Sequence, residues 1–184
     1  DIRLTVWQNL LIPFLTEESL VTVLEQVRRA GMGTEATAFA AGAVACTGKA
    51  ACKLAHAYTK EDGLALVRHL EERFTLDQPI NIHLTGCPNS CAQHFIGDIG
   101  LVGATLPDGG EGYHLVMGGG SDIDKGIGRP VAGPIPANEV NATIEKAIRI
   151  YLANRSTNET FLQFVRKVPD EALTKLIDIK TLAA

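Results

Sequence analysis

Four thiols carry the most distinctive chemistry in this sequence. Cys46 and Cys52 form a C-x5-C pair, and Cys87 and Cys91 form a C-x3-C pair after a gap of 34 residues. Soft thiolates at four positions suit zinc or an iron–sulfur cluster. Zinc knuckles usually space their cysteines C-x2-C to C-x4-C, and the first pair is wider. Its flanks are small and apolar (Ala45, Ala50, Ala51), as are Ala92 and Phe95 after Cys91, where a zinc ribbon would carry charged turns. A low-polarity pocket tunes the potential of a cluster. Spacing alone leaves three readings open: iron–sulfur, zinc and inert thiols. Two disulfides would need an oxidising compartment, and nothing in the chain marks it for secretion.

These residues need elements to hold them. Residues 1–14 read as one extended, β-prone segment closed by Pro13. Thr16 reads as an N-cap with Glu17 and Glu18 in the first turn, followed by Leu20, Val23, Leu24 and Val27 on one helical face. Gly31 and Gly33 stop that helix. Residues 34–45 are small and weakly patterned, and residues 50–60 continue in a helical rhythm. A helix is expected over 61–74 with Leu64, Val67, Leu70 and Phe74 inside, then a strand over 80–84. Gly86, Pro88, Asn89 and Ser90 are turn residues around the second cysteine pair. Strands are expected near 99–102 and 113–117, a Gly- and Pro-containing connection over 121–136, and helices over 136–152 and after Glu159. The tail from 169 to 184 reads as a short helix and an end of undefined role.

The fold class is α/β, with α+β as the other arrangement. Residues 1–30 are expected to be a partial ferredoxin-like layer, because one strand cannot pair alone, and residues 31–184 a cluster-binding domain. The 184 residues are enough for a real core, and 46% hydrophobic with 21% charged residues is ordinary globular composition. A net charge of −4 argues against general nucleic-acid binding, and no apolar run is long enough to span a membrane. The expected location is the cytoplasm, or the plastid stroma in a eukaryote. The chain opens on Asp1 rather than Met, which reads as a fragment or a processed end.

Two stretches, AVACTGKAACKLAHAYTK (43–60) and INIHLTGCPNSCAQHFIGDIGLVGA (80–104), resemble the nitrite and sulfite reductases that carry sirohaem and a [4Fe–4S] cluster. RLTVWQNLLIP, GYHLVMGGG, the helix at 136–152 and ETFLQFV continue the resemblance, which covers most of the chain. C-T-G after the first cysteine, Lys53 after the second and N-S-C-A-Q-H look more like the nitrite-reducing branch. Lys49 departs from that branch, which often has Asn there.

The resemblance implies that Cys46, Cys52, Cys87 and Cys91 ligate the cluster, and that Cys91 also bridges to the sirohaem iron. Thr47, Gly48 and Lys49 then read as backbone donors to cluster sulfur or as an ordinary turn. Asn89 and Ser90 would touch the cluster edge, and Gln93 and His94 follow the bridging cysteine. Lys53 and Lys60 would neutralise cluster or sirohaem charge. Arg3 and Gln8 lie on a strand that borders the sirohaem in that family. Gly119, within the run 118–120, would let backbone approach a large cofactor, and Arg129 would meet a carboxylate. His56 and His69 read as packing and surface residues.

The implied activity is the six-electron reduction of nitrite to ammonia, with ferredoxin as donor. The missing earlier half of the enzyme would supply much of the basic pocket for the small anion. The alternatives are a sulfite reductase or related sirohaem protein, a precorrin-modifying relative, and a zinc-stabilised interaction module without redox activity.

Overall fold

The computed structural model describes every residue except Ala36, Asp122 and residues 178–184, so the end of the tail lies outside the described residues. The first fourteen residues are not one extended segment. β1 (Arg3–Leu4) and β2 (Leu10–Leu11) pair antiparallel as a hairpin, with Arg3 opposite Leu11. The turn is closed by Thr5 N–H to Asn9 O at 2.9 Å and Gln8 N–H to Thr5 O at 3.1 Å, with Gln8 at φ 61°. The strand therefore finds its partner within its own segment. α1 (Glu17–Arg29) begins at Thr16 with a capping box closed by Ser19, so its start follows the expected cap. Its apolar face is not covered: the helix has no buried residue. Val23, Leu24 and Val27 line a cavity of about 620 Å³ shared with Ile12, Leu15, Ala40 and Ala41.

A five-stranded mixed sheet organises the rest, in the order β3 (Ala43–Ala45), β4 (Ile82–Thr85), β5 (Ile99–Thr105), β6 (Glu111–Met117) and β7 (Arg129–Pro136). β3, β4 and β5 run parallel, while β6 and β7 are antiparallel to their neighbours. Parallel neighbours need a long crossover. α2 (Thr59–Glu71) provides one between β3 and β4. Residues 86–98 provide the other with only a short 3-10 turn at His94–Ile96, so the second cysteine pair sits inside a sheet crossover.

One sheet face is the core. Ile82, Leu84, Ile99, Leu101, Tyr113 and Leu115 share one buried cluster with Leu66 and Leu70 of α2 and with Ile144, Ile148 and Tyr151 of α3 (Val140–Asn154). α4 (Phe161–Lys167), capped by Thr160 and Gln163, and α5 (Asp170–Ile177) complete that layer. The expected helix over 61–74 is present but shifted. Leu66 is buried where Leu64 was expected, and Leu64 is 60% exposed. Gly63 is buried against β3 and β4, where a Cβ would sit 3.4 Å from Leu84 Cδ1 and 3.6 Å from Ala45 Cβ, the spacing of ordinary contact. Residues 50–58 form irregular turns rather than a helix. The stretch 121–136 contains β7, which the prolines 130, 134 and 136 hid. Proline is tolerated on an edge strand because the missing N–H need not pair, and β7 is the sheet edge.

Candidate metal centre

The carboxyl ends of β3 and β4 bring the two cysteine pairs together. Ala45 is in register with Leu84, so Cys46, one residue past β3, leaves the sheet beside Thr85 and Gly86. Cys46 N–H donates to Leu84 O at 3.0 Å. Gly86 N–H donates to Cys46 Sγ at 3.1 Å, and His56 N–H donates to Gly86 O at 2.7 Å. One residue, Gly86, thus ties the second loop to both ends of the first through its N–H and its C=O. A Cβ on Gly86 would lie 2.7 Å from Ala55 Cβ, so only glycine lets the loops approach this closely.

Each loop has its own frame. Cys52 N–H donates to Gly48 O at 2.9 Å and Lys49 N–H to Ala57 O at 2.9 Å. The Lys49 amide is therefore spent within the loop, and the amide that reaches a cysteine sulfur is that of Gly86. Gly48 has φ +66°, and a Cβ there would meet Thr59 Oγ1 at 2.5 Å. Thr59 is fully buried; its Oγ1 donates to Cys46 O at 2.8 Å and lies 3.6 Å from Cys46 Sγ. In the second loop, Ser90 and Gln93 take left-handed backbone at φ 58° and 55°. Ala92 N–H donates to Thr85 Oγ1 at 3.1 Å. His83 Nδ1 lies 3.0 Å from Gln93 O. A carbonyl only accepts, so that nitrogen carries the proton. His83 and Thr85 are alternate residues of β4 on the face away from the core, and together they hold the returning loop against the sheet.

All four cysteines are free thiols; Cys87 is buried, Cys46 and Cys52 are half-buried and Cys91 is exposed. Among the described residues, no three His, Cys, Asp or Glu side chains gather closely enough to hold a single metal ion. Tetrahedral zinc would need its sulfurs about 3.8 Å apart, each about 2.3 Å from the metal. A four-iron cluster places each thiolate on its own iron, so the sulfurs need not meet. An all-thiol donor set and the amide aimed at Cys46 Sγ suit zinc and a cluster alike, and the separation of the thiols and their apolar flanks fit the cluster better.

The other candidates have diverse surroundings. Gln8 Nε2 donates to Ala45 O at 2.8 Å, and Lys60 Nζ reaches both Ala45 O and Gln8 Oε1. Arg3 is exposed, 3.8 Å from Asp1. Lys49 pairs with Glu111 at 2.7 Å, which raises its pKa. Thr47, Lys53 and Asn89 are exposed. A Cβ on Gly119 would meet Phe95 O at 2.3 Å and Gly97 O at 2.6 Å, so its close approach is to the end of the second loop. Arg129 is committed to Asp170, Val165 O and Val168 O, tying β7 to α4 and α5.

Several residues at the site escaped the sequence reading. Tyr113 donates to Asp62 Oδ2 at 2.5 Å beside the first loop, and burial raises the Asp62 pKa. Burial and that carboxylate push the Tyr113 hydroxyl up as well. His83 is buried with Nε2 unpartnered, and His94, which the sequence places just after Cys91, is buried with Nδ1 unpartnered; burial lowers both pKa values. Alternation marked Ile82 and Leu84 as inward and gave no sign that a folded-back loop covers the opposite face.

A family described as "Nitrite and sulphite reductase 4Fe-4S domain" matches residues 38–177. Sulfite reductase [ferredoxin] 1 of Mycolicibacterium paratuberculosis is 32% identical over 93% of this chain and 33% of its own length. Ferredoxin–nitrite reductase of Synechococcus elongatus is 35% identical over 70% of this chain and 26% of its own. The solved structure of the Mycobacterium tuberculosis NirA protein superposes with a TM-score of 0.85 at 31% identity, over 94% of this chain and 33% of that one. The chain thus spans between about a quarter and a third of the length of the curated relatives it matches. Among the described residues, no helix is long and apolar enough to cross a membrane.

Proposed function

The chain belongs to the nitrite and sulphite reductase 4Fe-4S domain family, and from that premise we propose that Cys46, Cys52, Cys87 and Cys91 hold one [4Fe–4S] cluster, with Cys91 shared with a sirohaem iron. The observation that carries the reading is the join between the two cysteine loops, where the Gly86 amide donates to Cys46 Sγ at the ends of adjacent parallel strands. Family members bind both cofactors. When bound, the cluster supplies electrons singly and the sirohaem iron holds the substrate anion.

The chain's own residues set the geometry. Gly86 donates to a thiolate and so favours its charge; Thr59 fixes the Cys46 carbonyl; His83 and Thr85 hold the loop that carries Cys91. Cys91 is the exposed member of the four, which suits a thiolate shared with a second group. Residues 1–30 are proposed as a layer distinct from the cluster domain, consistent with a helix that buries none of its residues.

The proposed whole-enzyme activity is ferredoxin-dependent six-electron reduction of nitrite to ammonia. The motif N-S-C-A-Q-H and Lys53 support nitrite. The second reading is sulfite reduction, supported by the mycobacterial sulfite reductases that align over more of this chain than the nitrite reductase does. The rest of the enzyme is proposed to supply the basic groups that read the anion, so the chain alone should not turn over at an intact enzyme's rate. The test is anaerobic loading with iron, sulfide and sirohaem, followed by nitrite and sulfite assays with reduced ferredoxin. Loading with weak or no turnover is expected, and joining the chain to the remainder of its enzyme should give the higher kcat/KM with nitrite. A higher value with sulfite refutes the substrate assignment, and full turnover by the chain alone refutes the need for the remainder.

A further inference from the structure

We propose that the tip of the β1–β2 hairpin, Trp7 and Gln8, is a clasp that fixes the two cysteine loops relative to each other, with Gln8 and His83 as positioning residues. The consequence for a cluster rests on the reading above; the clasp itself rests on contacts within this chain.

Two adjacent residues touch the two strands that lead into the loops, β3 and β4. Gln8 Nε2 donates to the carbonyl of Ala45, the residue before Cys46, at 2.8 Å. Lys60 Nζ donates to that same carbonyl at 3.1 Å and to Gln8 Oε1 at 3.2 Å, closing a three-membered network over the start of the first loop. The Trp7 indole meets the His83 imidazole edge-on, with ring centroids 5.2 Å apart and planes at 64°. His83 then passes the contact to the second loop through Nδ1–H to Gln93 O, two residues past Cys91.

The arrangement is specified locally. Gln8 adopts φ 61°, a left-handed conformation that disfavours a non-glycine residue. The Thr5–Asn9 turn holds it there and aims its amide at β3. His83 is fully buried, and its proton is fixed on Nδ1 by the Gln93 carbonyl. Ser90 and Gln93 are also non-glycine residues at positive φ. Such conformations persist where surrounding contacts over-determine them, and the Thr85 and His83 hydrogen bonds supply those contacts. The hairpin otherwise leaves much apolar surface uncovered, with Leu4 and Val6 each 82% exposed, so the turn is the part of it that engages the sheet domain by hydrogen bonds and ring contact.

The test compares Gln8→Ala, His83→Leu and His83→Asn with the parent chain, in two states. In the metal-free chain, the rate of iodoacetamide alkylation is mapped at each cysteine, with exposed Cys91 as the internal reference. Gln8→Ala should raise the rate at Cys46, and His83→Leu that at buried Cys87, by three- to tenfold. His83→Asn, whose side-chain amide replaces Nδ1–H but which loses the ring that meets Trp7, should raise the Cys87 rate by less than His83→Leu does. In the iron-loaded chain, the first two variants should shift the reduction potential and shorten the half-life against a chelator, with the Asn variant falling between the parent and the Leu variant. Unchanged alkylation in both Gln8→Ala and His83→Leu, or an Asn variant as reactive as the Leu variant, overturns the clasp. If the parent takes up no iron, the cluster reading fails, while the alkylation rates still decide the clasp.

Discussion

Replacing Gly86 by alanine tests the join between the loops directly. An added Cβ would lie 2.7 Å from Ala55 Cβ and 3.4 Å from Ala55 Cα, with Cys46 Sγ at 3.5 Å. Carbon atoms pack best at about 3.5–4.0 Å, so the Ala55 side must retreat by about 1 Å. Retreat is resisted, because Ala55 N–H is bonded to Cys52 O at 3.2 Å and His56 N–H to Gly86 O at 2.7 Å. The displacement therefore reaches Cys52 and strains the amide-to-Cys46 bond. Overpacking of this kind costs about 1–3 kcal/mol, a fall in Tm of about 3–10 °C for a chain of this size. Thermal unfolding of the metal-free chain by circular dichroism reads the stability term. Iron and sulfide content after reconstitution reads the site, and should drop by more than half. Gly33→Ala is the control, since a Cβ there meets nothing within 4 Å, and it should leave both readouts unchanged. A Gly86→Ala chain with parental Tm and a full complement of iron refutes the reasoning.

Three further outcomes are expected. Burial raises the Asp98 pKa from 3.8 to about 6 against the opposing Asn81 N–H bond. A carboxyl that holds its proton more tightly when folded is stabilising at low pH, and that contribution is lost as pH rises from about 4 through about 6, a span of about 3 kcal/mol. Asp98→Asn should therefore be more stable than the parent by about 1–2 kcal/mol at pH 7.5, with the gap closing near pH 4.5; a variant less stable at pH 7.5 in urea titration contradicts this. Thr59→Val removes the buried hydroxyl bonded to Cys46 O and should cost about 1–2 kcal/mol, while Thr59→Ser keeps most of the stability; a larger loss in Thr59→Ser than in Thr59→Val would show that the methyl group, not the hydroxyl, matters. Arg129→Ala should raise hydrogen exchange in α4 and α5 without affecting β4, because its partners are Asp170 and the carbonyls of Val165 and Val168; unchanged exchange with weaker sirohaem binding would restore the cofactor role expected from its position.

The sequence disclosed best what depends on neighbouring residues. Thr16 caps the helix over 17–29, closing its box with Ser19, and apolar spacing marks the helices over 140–154 and 161–167. The strands at β4, β5 and β6 were legible from apolar runs. Long-range facts were not. Nothing local says that Gln8 turns back to bond Ala45, or that a loop covers His83 and makes a polar outward position a buried one. Prolines masked β7 because their penalty applies to central strands, and edge position is a property of the whole sheet. The alanine-rich stretch 50–58 has helical propensity, yet the ties of Gly48, Ala57 and Gly86 bend it around the thiols. The cysteine spacing carried chemical meaning by itself, whereas the Gly86 amide at Cys46 Sγ became visible only once β3 and β4 lay side by side.

The most direct measurement is iron and acid-labile sulfide per chain after anaerobic reconstitution, with electron paramagnetic resonance after reduction. The account predicts about four of each, with the spectrum of a reduced [4Fe–4S] centre, and loss of that spectrum when Cys46, Cys52, Cys87 or Cys91 is replaced by serine. A chain that binds zinc in preference to iron, forms cystines, or keeps its cluster after losing one of these thiols contradicts it.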